Sequence, residues 1–179
     1  MKPIQILLLF LLVLTQPVHA QSSTADLRDF SSEGDFVKAN SVRLPKRVLS
    51  ALLATNEAEA GRDWVRDHPG EDTSALFNAF PVNLSTAAEE KDWVAVGKWE
   101  HLSGADNNWF WIVRSTSSGP HVVLFCSALT VGLLPGVHDS LHDIRCSWES
   151  PGGDGFIDDY RFNGQRYLLT KDTRTHRRP

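Results

Sequence analysis

The chain of 179 residues has only two cysteines, Cys126 and Cys146, and Met1 is its only methionine. Two cysteines are too few for a disulfide-dense small scaffold or for an all-cysteine zinc site. No G-x-S-x-G elbow, H-E-x-x-H pair or P-loop occurs, so the local signatures of serine hydrolases, zinc proteases and nucleotide phosphate cradles are missing. No run of about 20 apolar residues occurs beyond the first twenty positions, so the mature chain should have no membrane span. Neither sign of charge dominates. The net is −4, which gives no bulk attraction for nucleic acid or anionic membrane.

The first twenty residues have a clear layout. Lys2 supplies a positive charge, Ile4 to Leu14 is apolar except for Gln5, and Pro17 breaks the run before Val18-His19-Ala20. This is the pattern of a cleavable secretory signal peptide, with cut expected before Gln21. Its apolar core is too short to span a bilayer, and no cysteine follows it to carry a lipid. The mature chain would keep 159 residues, with 17 Lys and Arg against 22 Asp and Glu, a net of −5. It is expected in the periplasm or outside the cell, where an isolated cysteine pair reads as one disulfide, Cys126–Cys146, within the sheet. Such a bridge closes a loop of about 20 residues, worth about 3 kcal/mol by loop entropy.

The rest of the chain divides into a loose Ser- and Asp-rich leader (21–44), one domain (45–171) and a basic tail (172–179). One short ordered piece is expected in the leader near Phe36-Val37. From Pro45 to about Asp67, Val48, Leu49, Leu52, Leu53, Ala60 and Trp64 recur at helical spacing, with Pro45 suited to a helix start and His68-Pro69-Gly70 to its end. After residue 75 the period changes to 2. Phe77 to Leu84, Asp92 to Trp99, Asn108 to Ser115, His121 to Leu129 and Asp143 to Glu149 read as strands. Phe156 to Phe162 and Gln165 to Thr170 flank Asn163-Gly164, a two-residue hairpin signal that would set Tyr160 opposite Tyr167 and Phe162 opposite Gln165. The expectation is an α+β domain: an antiparallel sheet of about six or seven strands with one main N-terminal helix packed on it.

His142-Asp143-Ile144, then Trp148, then Tyr160-Arg161-Phe162-Asn163-Gly164-Gln165-Arg166-Tyr167 form an ordered set, with Asn108-Trp109-Phe110-Trp111-Ile112 upstream. Over residues 77 to 169 the chain resembles a loose group of uncharacterised secreted bacterial proteins with a DI…YRF-[DN]-G-x-x-Y ending. The resemblance implies export and brings no catalytic residues. Some similar endings accompany acidic calcium-binding turns, but Asn83-Leu84-Ser85-Thr86 stands in that place here.

Three groups of residues invite a functional reading. In His138-Asp139-Ser140-Leu141-His142-Asp143, two imidazoles four apart could share a metal with Asp139 in a helix, or be solvated residues of a loop. In Pro151-Gly152-Gly153-Asp154-Gly155, Asp154 and Asp158 could hold calcium, or the segment could be a plain turn. Trp93, Trp99, Trp109 and Trp111 fall in strands, with Trp93 and Trp99 sharing one face and Trp109 and Trp111 another. On neighbouring strands they would line one surface able to stack on sugar rings or to anchor a protein, or they would fill the space between sheet and helix. No cofactor is called for. The leading expectation is a non-enzymatic exported binding, accessory or inhibitor module with an envelope protein or glycan partner. The alternatives are a metal-dependent envelope hydrolase using His138 to Asp143 and a glycan-binding module using tryptophan.

Overall fold

The computed structural model describes residues 28–85, 91–98, 102, 108–150 and 154–175. The expected signal peptide, Trp99, residues 151–153 and residues 176–179 lie outside them. The chain runs β1 (Asp29–Ser31), α1 (Gly34–Asn40), α2 (Lys46–Leu53), α3 (Glu59–Asp67), β2 (Phe77–Val82), β3 (Asp92–Gly97), β4 (Asn108–Thr116), β5 (Gly119–Ala128), β6 (Thr130–His138), β7 (Leu141–Glu149), β8 (Gly155–Phe162) and β9 (Tyr167–Thr175). Two antiparallel sheets form, a five-stranded one in the order β1-β6-β7-β8-β9 and a four-stranded one in the order β2-β3-β4-β5.

The single sheet under one helix is therefore corrected to two sheets with three helices. Apolar side chains on both faces of the four-stranded sheet explain the difference. Val94, Val96, Phe110 and Ile112 enter a core shared with Ile144, Cys146 and Phe162 of the other sheet. Ala95, Trp111 and Val113, from the same two strands, enter a second core with Val48, Leu49 and Leu52 of α2. A strand buried on both faces reads as a continuous apolar run, as Trp109-Phe110-Trp111-Ile112-Val113 does. Side-chain size is matched along one cross-strand row: Ala79 pairs with Ala95, Ala95 with Trp111, and Trp111 with Phe125. The two alanines leave room for the indole beneath α2.

The expected long helix is split into α2 and α3. Thr55 Oγ1 donates to the Leu52 carbonyl at 2.8 Å, and Arg62 Nη1 donates to the Leu53 carbonyl at 2.8 Å and also to that of Thr55. These side chains take the carbonyls that a continuous helix would use. Residues 29–40, expected within a loose leader, contribute β1 and α1, and α1 includes the anticipated Phe36-Val37 piece. Phe30 is fully buried and its ring lies 5.8 Å from that of Phe80. Strand β6 was hidden by Gly132, Pro135 and Gly136. The ladder shifts register between Leu133 and Val137, so Pro135 sits in an irregularity rather than in a regular strand.

The last hairpin also differs. Asn163 Oδ1 accepts from the backbone N–H groups of Gln165 (3.1 Å) and Arg166 (2.9 Å), and Gly164 has φ +90°. The side-chain bonds close a four-residue loop, which pairs Phe162 with Tyr167 and Tyr160 with Leu169. Strand β9 continues to Thr175, through the first residues of the expected tail.

Cys126 and Cys146 are joined, with Cα atoms 6.8 Å apart. Cys126 is on β5 and Cys146 on β7, so the bond ties one sheet to the other instead of lying within a sheet. Replacing both cysteines by alanine should lower unfolding free energy by about 3 kcal/mol. Urea unfolding measures this, and an unchanged midpoint would show that the bridge contributes nothing to stability.

Candidate functional site

The tryptophan surface is mostly interior. β3 and β4 are neighbours, and Trp93, Trp109 and Trp111 all lie on the face toward the helices. Trp111 is fully buried, its Nε1 donates to Thr55 Oγ1 at 3.2 Å, and its ring meets Phe77 edge-on at 5.4 Å. It is out of reach of any ligand, which corrects its reading as a binding residue. Trp109 is half-buried, 5.8 Å from Phe125. Trp93 is half-buried at the edge of this layer, beside the start of α2.

The histidines do not converge. Asp139 (φ 46°) and Ser140 (φ 70°) form a two-residue turn with positive φ at both positions, as tight hairpins require. In that register His138 pairs with Leu141 and Val137 with His142. Adjacent ladder positions alternate faces, so the two imidazoles project to opposite sides. His138 Nδ1 lies 2.7 Å from Asp143 Oδ1, and the buried His142 has Nδ1 3.0 Å from the Leu134 carbonyl. Among the described residues no group of three His, Cys, Asp or Glu side chains is placed to hold a metal ion. The metal reading of His138, Asp139 and His142 is thus corrected, because a tight hairpin replaces the helix it needed. Asp158 is engaged by Arg174 Nη1 at 2.8 Å.

Two buried polar groups hold this end of the sandwich together. Tyr167 donates its hydroxyl to the His142 carbonyl at 2.7 Å, and burial first, then the nearby Asp92 and Asp143, push its pKa far above the phenol range. Asp92 accepts from Leu84 N (3.1 Å) and Ser115 N (2.8 Å). Burial raises its pKa, while those two bonds and the charges of Arg114 and His121 oppose the rise.

An open concavity of about 600 Å³ runs beside β5. β5 is the edge strand of the four-stranded sheet, and its residues 122–125 form the floor. Residues 54–57, between α2 and α3, make one wall. Tyr160, Arg166, Tyr167, Leu168 and Leu169 make the other. Leu168 and Leu169 are 41% and 51% exposed, among the few large apolar side chains so open. Tyr160 and Leu169 follow Ile144 across one ladder row, so they belong to the face that looks toward the other sheet. These side chains of the five-stranded sheet and the edge strand β5 of the four-stranded sheet therefore border the same open space. The expected two-residue hairpin concealed this cleft, because it set Tyr160 against Tyr167 rather than Leu169. The adjacent Leu168-Leu169 pair after a turn was the available sequence signal.

No known protein family, curated protein or solved structure matches the chain.

Trp111→Ala should cost about 3–5 kcal/mol in unfolding free energy, the range for emptying an aromatic core site. Less than 1 kcal/mol by denaturant titration, against about 3 expected at the least, would mean that the indole is not a core anchor. For Asp92 the sign follows from its raised pKa. The folded state holds the proton more tightly than the unfolded chain, so ionisation costs stability and acid relieves that cost. The unfolding free energy of the native protein minus that of Asp92→Asn should rise as pH falls through the raised pKa toward the ordinary 3.8. A pH-independent difference would contradict the assignment.

Proposed function

We propose that the protein is an exported, non-enzymatic binding module of the periplasm or cell exterior, and that its recognition surface is the cleft beside β5. The observation that carries this reading is the outer edge of β5, paired with no strand among the described residues, which faces Tyr160 and the exposed Leu169 across an open groove. An edge strand offers a row of unpaired N–H and C=O groups, which natural proteins usually blunt or cover. The ligand chemistry that matches such a row is an extended polypeptide. Main-chain hydrogen bonds would supply affinity, and alternate apolar side chains would enter the space over Tyr160 and Leu169. The partner would complete the shorter sheet with a fifth strand. An envelope protein with an extended apolar segment fits this description. The disulfide fits an oxidising compartment, and no helix among the described residues is long and apolar enough to cross a membrane.

Selection of phage-displayed random peptides against the mature chain tests the reading. Enriched peptides should alternate apolar and polar residues, and their binding should protect the amides of residues 122–125 from hydrogen exchange. Leu169→Glu should weaken them by at least about tenfold, with the unfolding midpoint unchanged. Peptides that bind without protecting β5, or that tolerate Leu169→Glu, would overturn it.

A further inference from the structure

A second, smaller cavity of about 230 Å³ lies where α2 begins, away from the cleft at the other end of that helix. Pro45, Arg47, Lys91, Trp93, Ser115 and Pro120 line it. The half-buried indole of Trp93 is the aromatic member of this set. Arg47 and Lys91 are exposed, and among the described residues no acidic side chain lines the cavity. Lys91 Nζ donates to Asn83 Oδ1, a neutral partner, at 3.0 Å. Arg47 is in no ion pair among the described residues. Of the acids adjacent to Lys91 in sequence, Glu89 and Glu90 lie outside the described residues, and Asp92 is buried on the opposite side of β3 from Trp93, with one oxygen bonded to Leu84 N and the other to Ser115 N.

These features specify a ligand with an apolar face and a negative charge. An indole favours the C–H face of a sugar ring, and a guanidinium and an ammonium favour a carboxylate. The cavity is smaller than the roughly 300–1,000 Å³ clefts that take drug-sized ligands, so it suits one ring rather than a chain. We infer that the Trp93 cavity binds a single anionic pyranose, stacked on the indole with its acidic group between Arg47 and Lys91. The inference is independent of the β5 cleft, because the two sites share no lining residue.

The test uses the full mature chain labelled with ¹⁵N-tryptophan. The indole N–H resonance of Trp93 is identified by its loss in Trp93→Phe. Sodium glucuronate, glucose and sodium acetate are titrated separately. Glucuronate should move the Trp93 resonance with a dissociation constant on the order of millimolar. Glucose and acetate should act at least about tenfold more weakly, and Arg47→Gln should weaken glucuronate by about tenfold. Arg47 is exposed at the helix start, so this variant should fold normally, and its spectrum verifies that. A glucuronate-terminated oligosaccharide separates the two natural sources: tighter binding than the free acid assigns a glycan end, and equal binding assigns the free sugar. No response to glucuronate below about 50 mM, an equal response to glucose or acetate, or an unchanged Arg47→Gln variant would overturn the inference. Peptide binding at β5 is measured separately, so either proposal can fail without the other.

Discussion

The fold depends on burying both faces of the four-stranded sheet. One face meets the five-stranded sheet and the other meets α2, so the molecule has three layers and two cores. The row Ala79, Ala95, Trp111 and Phe125 shows how tightly this is specified. Two methyl side chains stand beside one indole, and the helix closes over the ring only because of that size difference. Trp111 then reaches the Thr55 hydroxyl, at the point where the helical region breaks. The interior of the second core and the split between α2 and α3 are therefore parts of one arrangement.

The same layering leaves open space where the sheets are unequal. One sheet has five strands and the other four, and residues of β8 and β9 line the cleft beside β5. There Tyr160 and Leu169 border the open cleft, and among the described residues no strand pairs with the outer edge of β5. At the other end of α2 the helix start stops short of covering Trp93, and a small cavity lined also by Arg47 and Lys91 results. Both candidate sites are thus places where the packing of layers ends. The Cys126–Cys146 bond holds β5 over β7, and so fixes the strand that forms the floor of the larger cleft.

Several features were legible in the residues. The positions of β2, β3, β4, β5 and β7 followed from period and composition to within a few residues. The cysteine pair was readable from compartment logic, and burial of Trp111 was one of two readings that its spacing allowed. Strand β6 was not legible, because Pro135 and two glycines normally mark loops, and only a ladder irregularity accommodates them. Metal convergence of His138 and His142 depended on helical spacing. The Asp139-Ser140 turn removed it by placing the two rings on opposite faces.

By itself the sequence determined the local preferences: the start of α2 and the places of most strands, which side chains seek the interior, the signal-peptide pattern and one cysteine pair. Those depend on neighbours a few residues away. Only the tertiary structure decided how many sheets there are, that the disulfide joins them, and which tryptophan stays open. Those outcomes depend on which face of each strand meets which layer. A periodicity of 2 says that alternate residues share a face, but it does not say what covers that face. Here α2 covers Trp111 and stops before Trp93, and that boundary is set by packing between segments more than forty residues apart.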